Sequence, residues 1–284
     1  MWLFMTGMAL FSHGMSRRTL VSAAAGVSAA NSIHTQRADA DAVALDTHAP
    51  PTRLDDAARW DLWPALPLAP YAYRRTVVNE AVPSAVWTFD QLLGTLYVHV
   101  PIRMTVVAMA NSDGGLFVYA PVAPTKECLS LLQPLIDAHG PVRHIVLPSV
   151  APEHKTLAGP FARLFPSADF WVTDQQFSFP LNLPDRWLGF PARTRVLPTR
   201  SDGAMWGGEF EHAVLTAKAS ASSVYQEAAF FHKPSKTLLL CDAALSISAE
   251  PPAILTSDPS YRRALLFHAR DAPDERAEAT PAGR

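Results

Sequence analysis

Residues 104–120 read MTVVAMANSDGGLFVYA, and this stretch decides the fold. Met104–Ala110 and Leu116–Ala120 are apolar runs with β-branched residues, as strands require. Between them lies Asn111-Ser112-Asp113-Gly114-Gly115, whose Asp-Gly and Gly-Gly steps supply the positive φ of a tight turn. The stretch therefore predicts a β-hairpin. Moving outward, Thr125 is placed to cap a helix, with Leu129, Leu132, Leu135 and Ile136 at helical spacing. Gly140 supplies its stop and Pro141 follows at once. His144–Pro148 reads as a buried strand, Ser149–Gly159 as a loop, Pro160–Phe165 as a short helix, and Phe170–Val172 as another strand. Hairpin, helix, strand, helix, strand is an alternating α/β order.

The flanks extend the pattern. Upstream, Trp60–Pro64 reads as an irregular strap, and Ala85–Phe89 and Leu96–Val100 as weaker strands. Downstream, Gly207–Thr216 is strand-like but interrupted by Gly207-Gly208, and Tyr225–His232 is a strand. Lys233–Lys236 is a turn, and Thr237–Cys241 is a fully buried strand ending at Asp242. Two β-rich halves joined by helices predict a mixed fold, between α+β and α/β, arranged as a four-layer αββα sandwich over residues 60–270. Residues 271–284 are charged and rich in small residues, and read as an unfolded tail.

Composition bounds the rest. The chain has 284 residues, 49% hydrophobic and 18% charged, enough apolar material for a sizeable core. Its net charge of −2 lacks the basic excess of a nucleic-acid binder. The 25 prolines favour short elements over a helical bundle. Two cysteines cannot staple a disulfide scaffold, and they form no CxxC pair. No apolar run reaches the roughly 18 residues of a spanning helix, so no transmembrane segment is expected.

The first fifty residues carry a different signal. An apolar start at Met1–Phe11 precedes Ser16-Arg17-Arg18-Thr19-Leu20-Val21 and the small-residue run Ser22–Ala30. Twin arginines before a mild apolar run match a Tat-type export signal, with Ser28-Ala29-Ala30 as the cleavage neighbourhood. No acidic residue precedes Asp39, as transit peptides prefer. Residues 1–50 are thus expected to be a targeting peptide and linker. The destination implied is the chloroplast and its thylakoid lumen, with bacterial export as the alternative. A disordered tail is the other reading.

Chemistry has few candidates. Asp242 follows an apolar strand, where a carboxylate is costly to bury unless it is paired, hydrogen-bonded or metal-bound. It either caps the next turn or belongs to a site at the sheet's carboxyl end. Glu153 and His154 follow the strand at His144–Pro148. They form either a charged helix start or part of an acid–base or metal set. Cys241 reads as a small core hydrophobe. His232 reads as a polar edge residue, and His268 as part of a final strand. No HxH, HExxH, GxSxG, P-loop or GxGxxG motif is present.

Several segments together resemble a known fold. Met104-Thr105-Val106-Val107, Gly115–Pro121, His144–Pro148 and Lys236–Asp242 are similar in order to the metallo-β-lactamase-like hydrolases. Glu153-His154-Lys155, Ala158–Ala162 and Phe177–Pro184 resemble more specifically a branch found in plants, algae and cyanobacteria, known only as a domain of unknown function. The superfamily pattern is a His-x-His-x-Asp-His loop after a strand. Here Ser149 and Ala151 stand in the first two histidine places, Glu153 in the aspartate place and His154 in the last. Asp242 matches the bridging aspartate. The mid-domain histidine has no counterpart around Thr216–Ser223. The branch domain also runs further, so the resemblance implies a chain short at its C-terminus and a final histidine beyond Arg284. A catalytic zinc needs three protein ligands and an open position. The resemblance leaves Glu153, His154 and Asp242 as metal ligands for zinc, iron or manganese at a weak site. The expectation is a degenerate metal site, non-catalytic or weakly metal-binding. The alternative is a hydrolase of an ester, thioester or phosphoester using metal-bound water.

Overall fold

A computed structural model describes residues 56–60, 68–69, 73–95, 98–111, 114–176, 185–201, 204–220, 223–246 and 250–257. All of these fall in one unit, Ala42–Arg284. The expected targeting segment, the tail, His268 and the Phe177–Pro184 motif lie outside the described residues.

The elements in order are β1 (Leu68–Ala69), β2 (Val77–Val82), β3 (Val86–Thr95), β4 (Val98–Ala108), β5 (Leu116–Tyr119), α1 (Lys126–His139), β6 (Val142–Leu147), α2 (Pro152–Leu164), β7 (Asp169–Val172), β8 (Thr194–Val196), β9 (Arg200–Ser201), β10 (Phe210–Ser220), β11 (Ser223–His232) and β12 (Thr237–Leu239). A short helix, Ala253–Thr256, follows. The fold is mixed α/β with two sheets. The eight-stranded sheet runs β1-β3-β4-β5-β6-β7-β8, with β2 also on β3. The second sheet runs β12-β11-β10-β9.

The hairpin of residues 104–120 forms: β4 and β5 pair antiparallel from Thr105↔Tyr119 to Ala108↔Leu116. The strands β5, β6, β7 and β8 are then parallel, as the crossover helices demand. In α1 the Thr125 hydroxyl accepts from Cys128 N at 3.0 Å, and Gly140 closes the helix at φ 95°.

Side-chain alternation makes two cores. Leu116 and Val118 of β5 face one way, with Ile145, Phe170, Leu132 and Phe161, and pack the helices onto the first sheet. Phe117 and Tyr119 face the other way, with Val146, Trp171, Trp206, Phe210 and Phe230, and bind the first sheet to the second. Phe117 stacks on Phe210 at 4.3 Å.

Three expectations need correction. Of the strand expected at Leu96–Val100, residues 98–100 belong to β4, which pairs with β3 from Val86↔Val107 to Thr95↔Val98; residues 96–97 lie outside the described residues. Pro101 lies outside the Thr105–Ala108 stretch of β4 that β5 pairs, so the strand tolerates a proline there. The helix expected at Pro160–Phe165 begins eight residues earlier, at Pro152, and runs through Gly159 and Pro160. Gly159 is there for packing, since a Cβ would sit 2.4 Å from the Gly189 carbonyl oxygen. The strand at Thr237–Cys241 is a short edge strand, with Leu238 57% exposed. The described residues form helices packed on one sheet and that sheet on a second. The outer face of the second sheet leaves Leu215, Phe231 and Leu238 exposed.

Candidate metal centre

The site forms where β12 parts from β11. Strand β12 pairs only Phe230–His232 of β11. Further along, residues after β6 take over that edge: Ser149 bridges Glu227, Ala228 N donates to the Pro148 carbonyl at 2.8 Å, and Val150 N donates to the Gln226 carbonyl at 3.2 Å. Helix α2 then starts at Pro152 and puts His154, 5% exposed, in its first turn. The chain leaving β12 brings Cys241 and Asp242 to the same place.

Three ligand-type atoms converge. His154 Nε2 is 3.1 Å from Cys241 Sγ and 3.5 Å from Asp242 Oδ1. All three atoms lie within 4.8 Å of one another. Ser149 donates its hydroxyl proton to Asp242 Oδ2 at 3.2 Å and accepts from Ala151 N at 3.1 Å. Behind them Glu227, 1% exposed, accepts from Cys241 N and Asp242 N, each at 2.8 Å, and from the Tyr225 hydroxyl.

The charges are coupled. Burial pushes the Asp242 carboxyl up, but the hydrogen bond and charge of His154, helped by Ser149, hold it below its ordinary range. Burial pushes His154 down, but Asp242, then Glu153 and Glu227, carry it above its ordinary value. Burial, then the charges of Asp242, Glu227 and Glu153, push the Cys241 thiol far up. Burial and Glu227 do the same to the Tyr225 phenol.

This arrangement limits the chemistry. A nucleophile–base–acid relay uses both ring nitrogens of its histidine, one for each partner. Here Cys241 and Asp242 meet the same Nε2. A thiol held protonated is also a poor nucleophile. The donor set does fit a single cation. Tetrahedral bonds of about 2.0–2.3 Å separate ligand atoms by about 3.3–3.6 Å. Two of the three separations, 3.1 and 3.5 Å, are close to that, and the third lies within 4.8 Å. One sulfur, one imidazole nitrogen and one carboxylate oxygen suit zinc or iron better than manganese.

Of the expected residues, His154 and Asp242 come together. Glu153 is near enough to raise His154, yet it falls outside the ligand-atom set. Cys241, expected in the core, is only partly buried and contributes its sulfur. Glu227 and Tyr225 were not singled out in the sequence, and Ser149 was noted only as standing in a histidine place; here it holds Asp242. The available signal was Tyr225-x-Glu227, two polar groups at alternate positions and so on one face of the strand. His232 is not an edge residue. It is 1% exposed, with Nδ1 2.7 Å from Ser235 Oγ and Nε2 3.4 Å from Glu209 Oε2.

The fold and the site define a mixed α/β domain with a small cluster of metal-ligand type at a sheet edge. The chain belongs to the family described as Domain of unknown function (DUF4336), which matches residues 83–284. No curated protein matches the chain. Among the described residues, no helix is long and apolar enough to cross a membrane.

Proposed function

We propose that this is a metallo-β-lactamase-like domain with a reduced metal site, one that holds a single transition-metal ion weakly through His154, Cys241 and Asp242. The convergence of the three donor atoms within 4.8 Å carries the reading. The surrounding field supports it. Asp242, Glu227 and Glu153 all act on His154 as negative charges, so the cluster favours a cation. Binding must displace the Cys241 proton and compete with the His154 proton, which makes affinity pH-dependent and low in acid. Serine and alanine at 149 and 151, where the resemblance implies histidines, argue against a two-metal centre. The domain is therefore read as metal-binding, with little or no catalysis.

Hydrolysis is the second reading, favoured by the Asp242 side chain being 37% exposed. A metal ion there would supply Lewis-acid chemistry toward an ester, thioester or phosphoester. His154, Cys241 and Asp242 would hold it, and Ser149 would fix the Asp242 carboxylate.

Metal analysis after equilibrium dialysis tests the proposal. About one equivalent of zinc or iron per chain is expected, falling sharply in His154→Ala and little in Glu153→Ala. Less than about a tenth of an equivalent rejects it. Turnover of ester, thioester or phosphoester substrates that is lost in Asp242→Asn would promote the second reading. The twin-arginine segment supports a chloroplast destination, with bacterial export as the alternative, and N-terminal sequencing of the mature protein checks it.

A further inference from the structure

One strand holds both halves of the donor set. On its backbone, Gln226 and Ala228 of β11 bind Val150 and Pro148, the arm that leads to His154. On its side chain, Glu227 takes the N–H groups of Cys241 and Asp242, one on each carboxylate oxygen, both at 2.8 Å. Tyr225 donates its hydroxyl to Oε2, a third hydrogen bond on the same carboxylate. Glu227 is 1% exposed. A buried carboxylate is costly, and here all three of its named donors are neutral. Apolar residues at positions 225 and 227 would complete the strand as well. What the carboxylate does that they would not is fix two consecutive backbone amides, and so the directions in which Sγ of Cys241 and Oδ1 of Asp242 leave the chain.

We propose that Glu227 is the positioning residue of the metal site, clamping the Cys241–Asp242 backbone so that both side chains converge on His154. This rests on the metal reading above and deepens it. Glu227 touches no reacting group; it acts through the two residues it holds. Carboxylates that orient metal ligands are worth about 10–100-fold in affinity.

The test uses the full chain and cobalt(II), whose thiolate charge-transfer absorption reports the Cys241 bond directly. Glu227→Gln keeps one accepting oxygen and turns an N–H toward the other amide. Glu227→Asp keeps the charge but falls one methylene short. Positioning is expected to weaken cobalt and zinc binding about 10–100-fold in both variants and to diminish the thiolate absorption in both. If Glu227→Asp binds as tightly as wild type with an unchanged spectrum, the carboxylate acts through charge alone and the proposal is overturned. If both variants bind normally, it is overturned outright. Where either variant loses its cooperative thermal transition, Tyr225→Phe is decisive. It leaves the charge and loosens the clamp, so a folded Tyr225→Phe with wild-type affinity and spectrum overturns the proposal. If wild type itself binds neither metal, the metal reading fails and the clamp falls with it. That result is distinct from a normal wild type beside normal variants.

Discussion

His212 provides a quantitative test of the core between the sheets. Trp206 Nε1, which only donates, lies 2.9 Å from His212 Nδ1, and His212 Nε2 lies 2.9 Å from the Pro198 carbonyl oxygen. The geometry fixes a neutral ring with its proton on Nε2. Protonating Nδ1 would turn one N–H against another inside the aromatic cluster, where His212 stacks on Phe230 at 4.9 Å. Burial pushes His212 below its ordinary value, partly offset by the Pro198 bond. The sign follows: above about pH 6.5 folded and unfolded chains are both neutral there and full stability is present. As pH falls below that value the unfolded chain takes the proton first, and stability is lost until the folded ring protonates. A broken bond and a stranded buried donor cost about 1–3 kcal/mol. At about 2–4 °C per kcal/mol for a domain of this size, the melting temperature should fall by up to about 2–12 °C from this group. His144 and His232 add acid sensitivity of the same sign and the raised His154 the opposite sign, so the assay compares variants. Trp206→Phe removes the opposing N–H. Its melting temperature at pH 7.5 should be lower than wild type, but its decline toward pH 5 should be shallower. Parallel curves for the two proteins would refute the reasoning.

Other outcomes are sharp. Gly159→Ala gains about 1 kcal/mol of helix propensity but drives a Cβ into the Gly189 carbonyl, an overpacking cost of about 1–3 kcal/mol, so denaturant melts should show net destabilisation. Phe117→Ala removes the ring that meets Phe210, Trp206 and Phe230 and should cost about 3–5 kcal/mol; a loss below about 1 kcal/mol would mean the two sheets do not share a core. In metal-free protein, iodoacetamide at pH 8 should label Cys241 far more slowly than a free cysteine, because its thiol stays protonated; equal rates would contradict the charge assignment.

Much of the architecture was legible because it is local. The Gly114-Gly115 pair, the Thr125 cap and the Gly140 stop each act within a few residues, and the β4–β5 pairing and α1 form where those signals put them. The errors came from distant partners. Gly159 and Pro160 look like helix breakers until Gly189 is seen pressed against the helix. Thr237–Leu239 looks buried because leucines fill it, but its edge position and outward face are set by β11. At the site, His154 and Asp242 stood out through chemical type and position. Cys241 did not, since apolar neighbours make a cysteine look like core. Glu227 was invisible because its role lies in two backbone amides fourteen and fifteen residues away.

X-ray absorption at the zinc edge of metal-loaded protein tests the central claim most directly. The three-donor site requires one sulfur at about 2.3 Å, with the remaining neighbours nitrogen or oxygen at about 2.0–2.2 Å. The sulfur shell should vanish in Cys241→Ser. A zinc shell without sulfur in wild type, or a second metal at about 3.5–4 Å, would contradict it.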